Sequence, residues 1–538
     1  MKVAKHIEAI DNFVLKNLYA TKPDLKKWET DKYLMDSRTV IKFWDMIEKA
    51  PSVMIFGDYD VDGICSSYIL AKSIKKKFSE KNVKVRLPRR FSEGYGINKV
   101  VIDEIKGKMP VGSLIITVDN GIASADILED LESQGYNVIV TDHHALGKNR
   151  IPNVRMVLDP SVPECASSFV GTYWCGAGVA YKLVEQMLAE EDAREMECYA
   201  GVATIADIMQ LKEGNWALVK RTINSFRNGS APQPLMLLLS MLGKDYQFAT
   251  VETFSFYLCP AINSPGRMDD KGASKALAYF IAPTIDKAKW IVATNEQRKK
   301  IRDEQIACIM QKIYENGSEN DCPIWVSAPN LHEGIVGLIA SEIEERFHVP
   351  SIVLNEREDG TLKGSARTSG DVDIYKYLLS CNANYISVGG HKGAAGLKMK
   401  KEEFEKARKT QISKPDEKKE APISIEKEEI PELLDELKHF EPFGEGNPTP
   451  VFSTIIDMKA DKAKLVGSKE EHLLIEDIDK QFKITHFYHE PNDLVNKNHF
   501  VLEGTIGNTD FNGVETPTFS GNLAYDYEQE EHSIDLEK

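Results

Sequence analysis

Short apolar runs alternate with helical patterns through the first third of the chain. Five such runs occupy 53–56, 83–87, 114–118, 138–141 and 155–158. Between them, helical patterns occupy 64–78, 97–107 and 123–133. A short apolar run is typical of a buried strand, whereas apolar residues three or four positions apart are typical of a helix. The alternation predicts an α/β fold, a parallel sheet covered by helices on both faces.

The pattern changes several times along the rest of the chain. A mostly helical stretch is followed by one long charged helix and then by a smaller α/β pattern, with strands at 323–328 and 350–355 around a helix at 334–347. Five short strands are predicted near the C-terminus, at 451–458, 472–476, 482–487, 499–506 and 518–524. Short strands separated by Gly, Asn and Asp turns predict an OB-like β-barrel.

These changes predict six segments. They are an N-terminal helical segment at 1–50, a first α/β domain at 51–282, a connector helix at 283–318, a second α/β domain at 319–410, a linker at 411–430 and an OB-like domain at 431–538. A chain of 538 residues is too long for one core, which agrees with this division.

Composition narrows the class of protein. No window of eighteen apolar residues occurs, so no membrane span is expected. The N-terminus has no continuous apolar signal core, and we expect a cytoplasmic protein. The eight cysteines form no Cys-x-x-Cys pair, which argues against a zinc knuckle or a redox motif and favours reduced thiols.

The net charge of −16 argues against a protein that coats duplex DNA by bulk electrostatics. It does not argue against a nuclease, because an enzyme that holds a few phosphates needs only local Lys and Arg, and bound metal ions supply charge of their own.

Three carboxylates follow the first predicted strand at alternate positions: Asp58, Asp60 and Asp62. Alternate side chains of an extended chain point the same way, so the three are predicted to converge. Gathered carboxylates repel one another unless a cation lies among them. An acidic loop in water is the alternative interpretation of this motif alone.

Two further strands end in residues of the same chemistry. Asp119 follows the strand at 114–118, and His143 and His144 follow the strand at 138–141. Open α/β sheets build their sites at the carboxyl ends of strands. Carboxylates mixed with imidazole suit Mn²⁺, Mg²⁺ or Zn²⁺. Asp207 is a fourth acidic candidate, although a single Asp there is also typical of a helix cap.

Four motifs carry a resemblance to a known family. DYDVDG, VDNG, TDHHALG and ADIMQL occur in the order of the motifs of the DHH phosphoesterase superfamily. Further segments resemble those of its RecJ-type single-strand-specific 5′→3′ exonucleases: RRFSEGYGIN, NSPGRMDD, LHEGIVGLIASEI, GSART, SVGGHKGAAGL and FEPFGEGNPTPVF. The resemblance covers nearly the whole chain, and the combination is specific although each motif alone is weak.

The resemblance implies a DHH catalytic domain, a DHHA1 substrate-binding domain and an OB-like nucleic-acid-binding domain. It implies an enzyme that degrades single-stranded DNA from its 5′ end to mononucleotides in DNA repair or recombination, with two Mn²⁺ or Mg²⁺ ions. The metal ligands it implies are Asp58, Asp60, Asp62, Asp119, His143 and Asp207. The catalytic residues it implies are Asp119, His143, His144, Asp60 and Asp62.

The resemblance also implies a phosphate-binding set. Its members are Arg90, Arg267, Ser365, Arg367, His391, Gly389 and Gly390. A solvated arginine, or an Arg267 paired with Asp269 or Asp270, is the alternative for the arginines. The expected partner is single-stranded DNA with a 5′ end, together with a single-strand-binding protein or a helicase.

Three other functions fit part of the pattern. A DHH phosphodiesterase of short oligonucleotides or cyclic dinucleotides shares the metal motifs, but the connector and the barrel argue against it. A manganese pyrophosphatase is much shorter. A catalytically inactive, replication-associated relative has degraded metal ligands, whereas all the predicted ligands are present here.

Overall fold

The computed structural model describes most of the chain. The described residues are 9–10, 25–31, 33–94, 96–169, 173–414, 422–457, 462–466, 472–476, 483–486, 499–511 and 514–526.

The first α/β unit contains a five-stranded sheet. Its strands are β1 (Val53–Phe56), β2 (Val83–Arg86), β3 (Leu114–Val118), β4 (Asn137–Thr141) and β5 (Met156–Leu158). They lie in the order β2-β1-β3-β4-β5, and every neighbouring pair is parallel. All residues of β1 and β3 are buried, as expected for strands covered on both faces. The predicted parallel sheet is confirmed.

Helices cover this sheet, and further helices after β5 form a helical subdomain. Before and between the strands they are Leu25–Thr30, Ser37–Lys49, Val61–Lys77, Lys99–Lys108 and Ala125–Ser133. After β5 they are Gly176–Val184, Glu190–Ala206, Glu213–Arg227, Gln233–Met241, Val251–Thr253, Cys259–Met268 and Gly272–Ile281, with a π-helical turn at Phe254–Leu258. Short 3-10 turns lie at Ala166–Ser168, Glu185–Met187 and Tyr246–Phe248.

One long helix, Ile285–Glu315, connects the first unit to the second. The second unit has a mixed sheet of β6 (Ile324–Pro329), β7 (Ser351–Glu356), β8 (Thr361–Arg367), β9 (Tyr385–Gly390) and β10 (Ala394–Lys400). The strand order is β6-β7-β8-β10-β9, with only β6 and β7 parallel. Its helices are Val336–Phe347, Ile374–Ser380 and Lys401–Ala407.

The sequence pattern did not predict β8, β9 and β10 as strands. Gly364, Gly389 and Gly390 interrupt the apolar signal, and β9 is mostly half-buried or exposed. Their pairing is instead decided by long-range hydrogen bonds, such as the antiparallel register that joins β8 to β7 and β10.

The C-terminal unit is a seven-stranded sheet in the order β11-β12-β16-β17-β15-β14-β13. Its strands are β11 (Ile423–Ser424), β12 (Phe452–Asp457), β13 (Lys462–Val466), β14 (His472–Glu476), β15 (Lys483–His486), β16 (His499–Phe511) and β17 (Val514–Asp526). The five predicted strands are present; β11 and β13 were missed. A 3-10 turn at Lys427–Glu429 leads into helix Ile430–Leu437, which packs with Trp216 of the first unit. The sequence suggests Phe487, Tyr488 and Phe511 for base stacking, and their side chains lie outside the described part of the structure.

Among the described residues, no helix is long and apolar enough to cross a membrane.

The two α/β units meet through a glycine. A Cβ atom on Gly334 of the second unit would lie 2.0 Å from the backbone oxygen of Arg267 in the first. The Arg267 side chain also donates a hydrogen bond from Nη1 to the carbonyl oxygen of Gly334, at 3.3 Å. The absence of a side chain at 334 therefore sets how closely the two units approach.

Replacing Gly334 with Ala is expected to separate the two units and lower the thermal unfolding temperature. Relieving the overlap with a backbone atom costs about 1–3 kcal/mol. The control is Gly107→Ala, because nothing lies within 4 Å of a Cβ atom there and Ala favours a helix over Gly by about 1 kcal/mol. Equal unfolding temperatures and equal small-angle scattering radii for the two variants would contradict this account of the contact.

Candidate metal centre

The sheet order brings β1, β3 and β4 side by side, so the acidic and histidine residues after these strands meet at one edge. Three sets of these side chains have ligand atoms within 4.8 Å of one another. The sets are Asp58, Asp60 and Asp119; Asp62, His143 and Asp207; and Asp119, His143 and His144. All the side chains that the sequence singled out as metal ligands therefore lie in one cluster.

His143 lies at the centre of the cluster. Its Nε2 atom is 3.1 Å from Asp119 Oδ1 and 3.5 Å from Asp62 Oδ2. The same atom is 3.6 Å from Asp207 Oδ2, although Asp207 lies at the end of a helix far along the chain. One imidazole nitrogen thus faces carboxylates from three separate segments.

The acids after β1 converge by a route that the sequence pattern did not predict. The helix begins at Val61 rather than at residue 64, so Asp62 lies in its first turn. The prediction that Asp58, Asp60 and Asp62 all lie in an extended segment is therefore wrong for Asp62. Asp60 is the N-cap, and its Oδ1 accepts a hydrogen bond from the Gly63 amide at 3.1 Å. Gly63 has no room for a side chain, because a Cβ atom would lie 2.4 Å from the Asp58 nitrogen.

A second helix holds Asp62 in place. Its two oxygens accept hydrogen bonds from the amides of Gly176 and Ala177, at 2.6 and 2.7 Å. These amides begin helix Gly176–Val184, whose N-terminus favours negative charge. The sequence analysis did not predict that Gly176 and Ala177 bind Asp62. The glycines at the start of this helix were the signal that could have indicated it. A Cβ atom on Gly176 would lie 2.6 Å from the Asp119 Cβ atom.

Asp142 holds the neighbouring imidazole and was also missed as a site residue. Its Oδ1 lies 2.8 Å from His144 Nδ1, and its Oδ2 accepts a hydrogen bond from the Ile122 amide at 2.9 Å. Burial lowers the pKa of His144, but the hydrogen bond and charge of Asp142 outweigh it and raise the pKa to about 9. His144 is therefore a cationic hydrogen-bond donor at the edge of the cluster.

The carboxylates of the cluster repel one another. Burial, and then the charges of neighbouring aspartates, raise the pKa values of Asp58 and Asp119 well above the usual range and that of Asp207 to about 8. Asp58 Oδ1 is buried and has no hydrogen-bond partner among the described residues. Buried charges of one sign are stable only with a counter-charge. The oxygen-rich donor set with imidazole fits divalent cations such as Mn²⁺ and Mg²⁺.

Next to the acids lies a cluster of arginines from three parts of the chain. Burial, and then the nearby guanidinium groups of Arg90, Arg298 and Arg367, lower the pKa of Arg267 to about 9. None of these four arginines forms an ion pair with a carboxylate in the part of the chain that the structure describes. Asp269 pairs with Lys275, and Asp270 accepts hydrogen bonds from Phe91 and Ser92. Neither therefore neutralises Arg267.

The arginine cluster adjoins the acids directly. The Arg90 guanidinium stacks 4.6 Å from the centroid of the Tyr59 ring, and Tyr59 lies between Asp58 and Asp60 in the sequence. Such stacking leaves the guanidinium donors available for an anion. A paired acidic and cationic arrangement of this kind is suited to a phosphate bound to metal ions.

The remaining predicted phosphate-binding residues lie in the second unit. Ser365 and Arg367 are half-buried residues of β8, and both lie close to Gly337. Gly389 and Gly390 end the exposed strand β9, and His391 follows them. Burial, and then the charges of Arg367 and His144, lower the pKa of His391. The effect of His144 on His391 indicates that the second unit faces the acid and histidine cluster of the first unit.

Known families match the three units separately. The DHH family, N-terminal domain, matches residues 52–209, the DHHA1 domain matches 322–414, and the RecJ OB domain matches 423–520. The chain therefore matches, in order, the three domains expected of RecJ-type DHH proteins. The resemblance seen in the sequence is confirmed.

Relatives of this family are similar over much of the chain. The single-stranded-DNA-specific exonuclease RecJ of Bacillus subtilis is 29% identical over 79% of this chain and 55% of its own length. The RecJ of Dickeya dadantii is 30% identical over 66% of this chain and 65% of its own length. The chain spans between 55% and 66% of the length of the first curated RecJ relatives that it matches.

Solved RecJ structures share the fold. The RecJ of Thermus thermophilus, in complex with Mn²⁺, superposes with a TM-score of 0.76 over 96% of this chain and 76% of that one, at 24% identity. An exonuclease RecJ bound to manganese gives a TM-score of 0.56 over 69% of this chain and 92% of that one, at 27% identity. The predicted fold class is confirmed.

The raised pKa values predict an unusual dependence of stability on pH. In the cation-free folded protein, the carboxyl group of Asp207 keeps its proton up to about pH 8. In the unfolded chain, the same group loses its proton at about pH 3.9. The protein's stability is therefore expected to fall as pH rises between these values. Mn²⁺ should raise the thermal unfolding temperature, and by more at pH 8 than at pH 6, as measured by calorimetry.

Asp58→Asn removes one of the mutually repelling carboxylates. It therefore tests how much their repulsion lowers the stability of the cation-free protein. It should raise the unfolding temperature of the cation-free protein at pH 8 and reduce the increase produced by Mn²⁺. The control is Asp103→Asn, an exposed residue of helix Lys99–Lys108. A Mn²⁺ response that is equal in wild type and Asp58→Asn would rule out Asp58 as a ligand of the cation.

Proposed function

We propose that the protein is a single-strand-specific 5′→3′ exodeoxyribonuclease that releases mononucleotides in DNA repair or recombination. The observation that carries the proposal is that a buried acid and histidine cluster lies next to a cluster of arginines that have no carboxylate partner among the described residues. The first would bind divalent cations, and the second would bind the phosphate group whose ester bond is hydrolysed by water. The match to the DHH, DHHA1 and RecJ OB domains supports the same assignment.

In this proposal two Mn²⁺ or Mg²⁺ ions occupy the cluster. Asp119 and His143 each belong to two of the three ligand sets, and Asp119, a carboxylate with two oxygens, is the residue that would help to hold both ions. Asp58, Asp60, Asp62, His143 and Asp207 complete the coordination. When bound, the ions supply an activated water and stabilise the leaving oxygen of an in-line displacement. The manganese-bound RecJ at 27% identity supports this choice of metal.

The protein's own residues orient the strand. The backbone amides of Gly176 and Ala177 hold Asp62 in one rotamer, so the ligand geometry exists before a cation binds. Asp142 aims His144 at the edge of the cluster, where the imidazolium can donate to an oxygen of the scissile phosphate or protonate the leaving 3′ oxygen.

In this proposal, residues of the second unit bind the 5′ end of the strand. Arg367 offers two parallel donors to a phosphate, and Ser365 lies beside it on β8. Arg90 and Arg267 approach from the first unit, and Gly389 and Gly390 allow the backbone near His391 to come close to the ligand. The phosphate is thus held between the two units, at the contact that Gly334 sets.

The C-terminal unit supplies the preference for a single strand. OB folds bind single strands by a charged groove and stacked bases. A single-strand-binding protein or a helicase is the partner that this substrate requires in the cell. The eight cysteines are free thiols, which suits the reducing cytoplasm, where we place the activity.

The purified protein with Mn²⁺ should shorten a long single strand of DNA from its 5′ end and spare the matching duplex. The measurement uses strands labelled at either end, and the products should be mononucleotides. Asp119→Ala should lose nearly all activity, because Asp119 serves two ligand sets.

Two other outcomes point to other functions. Preference for a dinucleotide over the long strand would assign the protein to the DHH enzymes that act on short substrates. No hydrolysis with Mn²⁺ still bound would indicate a replication-associated protein without nuclease activity. Asp103→Asn controls for the loss of one charge away from the cluster.

Arg367→Gln should abolish the preference for a 5′-phosphorylated over a 5′-hydroxyl strand. Loss of a charge-assisted hydrogen bond costs about 1.5–3 kcal/mol, so kcat/KM for the phosphorylated strand should fall about tenfold or more. The matched control is Arg346→Gln, an exposed arginine of the same unit. A preference retained by Arg367→Gln would place the 5′ phosphate elsewhere.

A further inference from the structure

A cavity of about 520 Å³ is lined by residues from four parts of the molecule. The neighbours of Asp207 and helix Cys259–Met268 line it from the first unit, and Arg298, Lys299 and Arg302 line it from the connector helix. Leu338 of the second unit and Gly444 of the C-terminal segment complete the wall. The cavity therefore continues the candidate active site towards the C-terminal unit.

One wall of the cavity is apolar and open to solvent. Ile208 is 71% exposed and Phe256 is 70% exposed. Ile208 adopts a φ of 51°, a left-handed conformation that is rare and strained for a β-branched residue. Phe256 lies in the π-helical turn Phe254–Leu258, and such turns are frequent at functional sites. Two irregular backbone segments thus present large apolar side chains beside the cluster.

The residues that the connector helix contributes to the cavity are basic. Arg298 of the connector helix is 6% exposed, and its Nε donates a hydrogen bond to Asn295 Oδ1 at 3.1 Å. Asn295 is 1% exposed, and its amide nitrogen has no hydrogen-bond partner in the described part of the chain. No carboxylate of the described residues forms an ion pair with Arg298. The buried guanidinium of Arg298, which lines the cavity, thus has no carboxylate partner among the described residues.

We propose that this cavity holds a nucleotide segment of the single strand next to the scissile phosphodiester, with a phosphate at Arg298 and a base against Phe256 and Ile208. The inference rests on the proposed nuclease function and deepens it. A strand presents a phosphate and an aromatic base at each nucleotide, which matches one basic and one apolar wall. The connector helix is then part of the substrate site as well as a spacer.

The test is binding of the full-length chain to 5′-phosphorylated oligothymidylate in Mn²⁺. Asp119→Ala serves as the background, so that the strand stays intact, and fluorescence anisotropy is measured over a range of salt. Phe256→Ala should weaken binding about tenfold with an unchanged salt dependence, because it removes stacking and no charge. Arg298→Gln should weaken binding and lower the slope of log affinity against log salt by about 0.7, as expected for one lost phosphate contact.

Two matched controls accompany these variants. Lys300→Gln removes a positive charge from an exposed position of the same helix. Val111→Ala removes an exposed apolar side chain that precedes β3, at the end of the sheet opposite the acid cluster. Both should bind the strand as the background protein does. Phe256 is exposed, so its variant keeps the test valid even if Arg298→Gln fails to fold.

Equal affinity for Phe256→Ala, Arg298→Gln and the controls would overturn the inference; this is also the result expected if a polypeptide occupies the cavity. The outcome is separable from that of the nuclease assay. If the wild-type protein degrades the strand while these variants bind like the controls, only the cavity assignment fails. If the variants bind weakly but the wild-type protein cleaves no DNA, only the proposed nuclease function fails.

Discussion

The mutual repulsion of buried carboxylates at one edge of the first sheet is the constraint on which the rest of this structure depends. Parallel strand order delivers Asp58, Asp119 and Asp142 to the same edge, where burial strengthens every charge interaction. Backbone amides offset only part of that charge. The amides of Gly176 and Ala177 donate hydrogen bonds to Asp62, and the amide of Ile122 donates one to Asp142. In the cation-free protein, protonation reduces the remaining negative charge, and the donor set suits divalent cations; further positive charge lies next to it.

That further charge comes from the arginine cluster, which no single unit contains. Arg90 follows the first sheet, Arg298 belongs to the connector helix and Arg367 belongs to β8. Burial, and then the nearby guanidinium charges, disfavour the charged form of Arg267 and lower its pKa to about 9. Two contacts hold the units together around this cluster: the close approach of Gly334 to Arg267, and the packing of helix Ile430–Leu437 with Trp216.

Local patterns predicted those parts of the fold that local physics decides. The strands β1 and β3 are fully buried, so their apolar runs are unbroken, and the charged connector helix contains no helix-breaking residue. The prediction failed where a tertiary contact replaces a local signal. Glycines in β8 and β9 suit close approach of neighbouring backbones, which weakens the apolar pattern. The start of helix Val61–Lys77 was misplaced because Asp60, a residue taken for an extended ligand, is its N-cap.

The sequence by itself determined the chemistry of this protein: which strands end in acids and histidines, how these residues are ordered, and which family has that order. It did so because ligand type and strand identity are local properties. Only the tertiary structure decided which side chains act together. The contacts of Asp62 with Gly176, of His143 with Asp207 and of Arg267 with Gly334 join residues more than sixty positions apart. The packing of whole helices and units decides such distances, and a one-dimensional pattern does not record it.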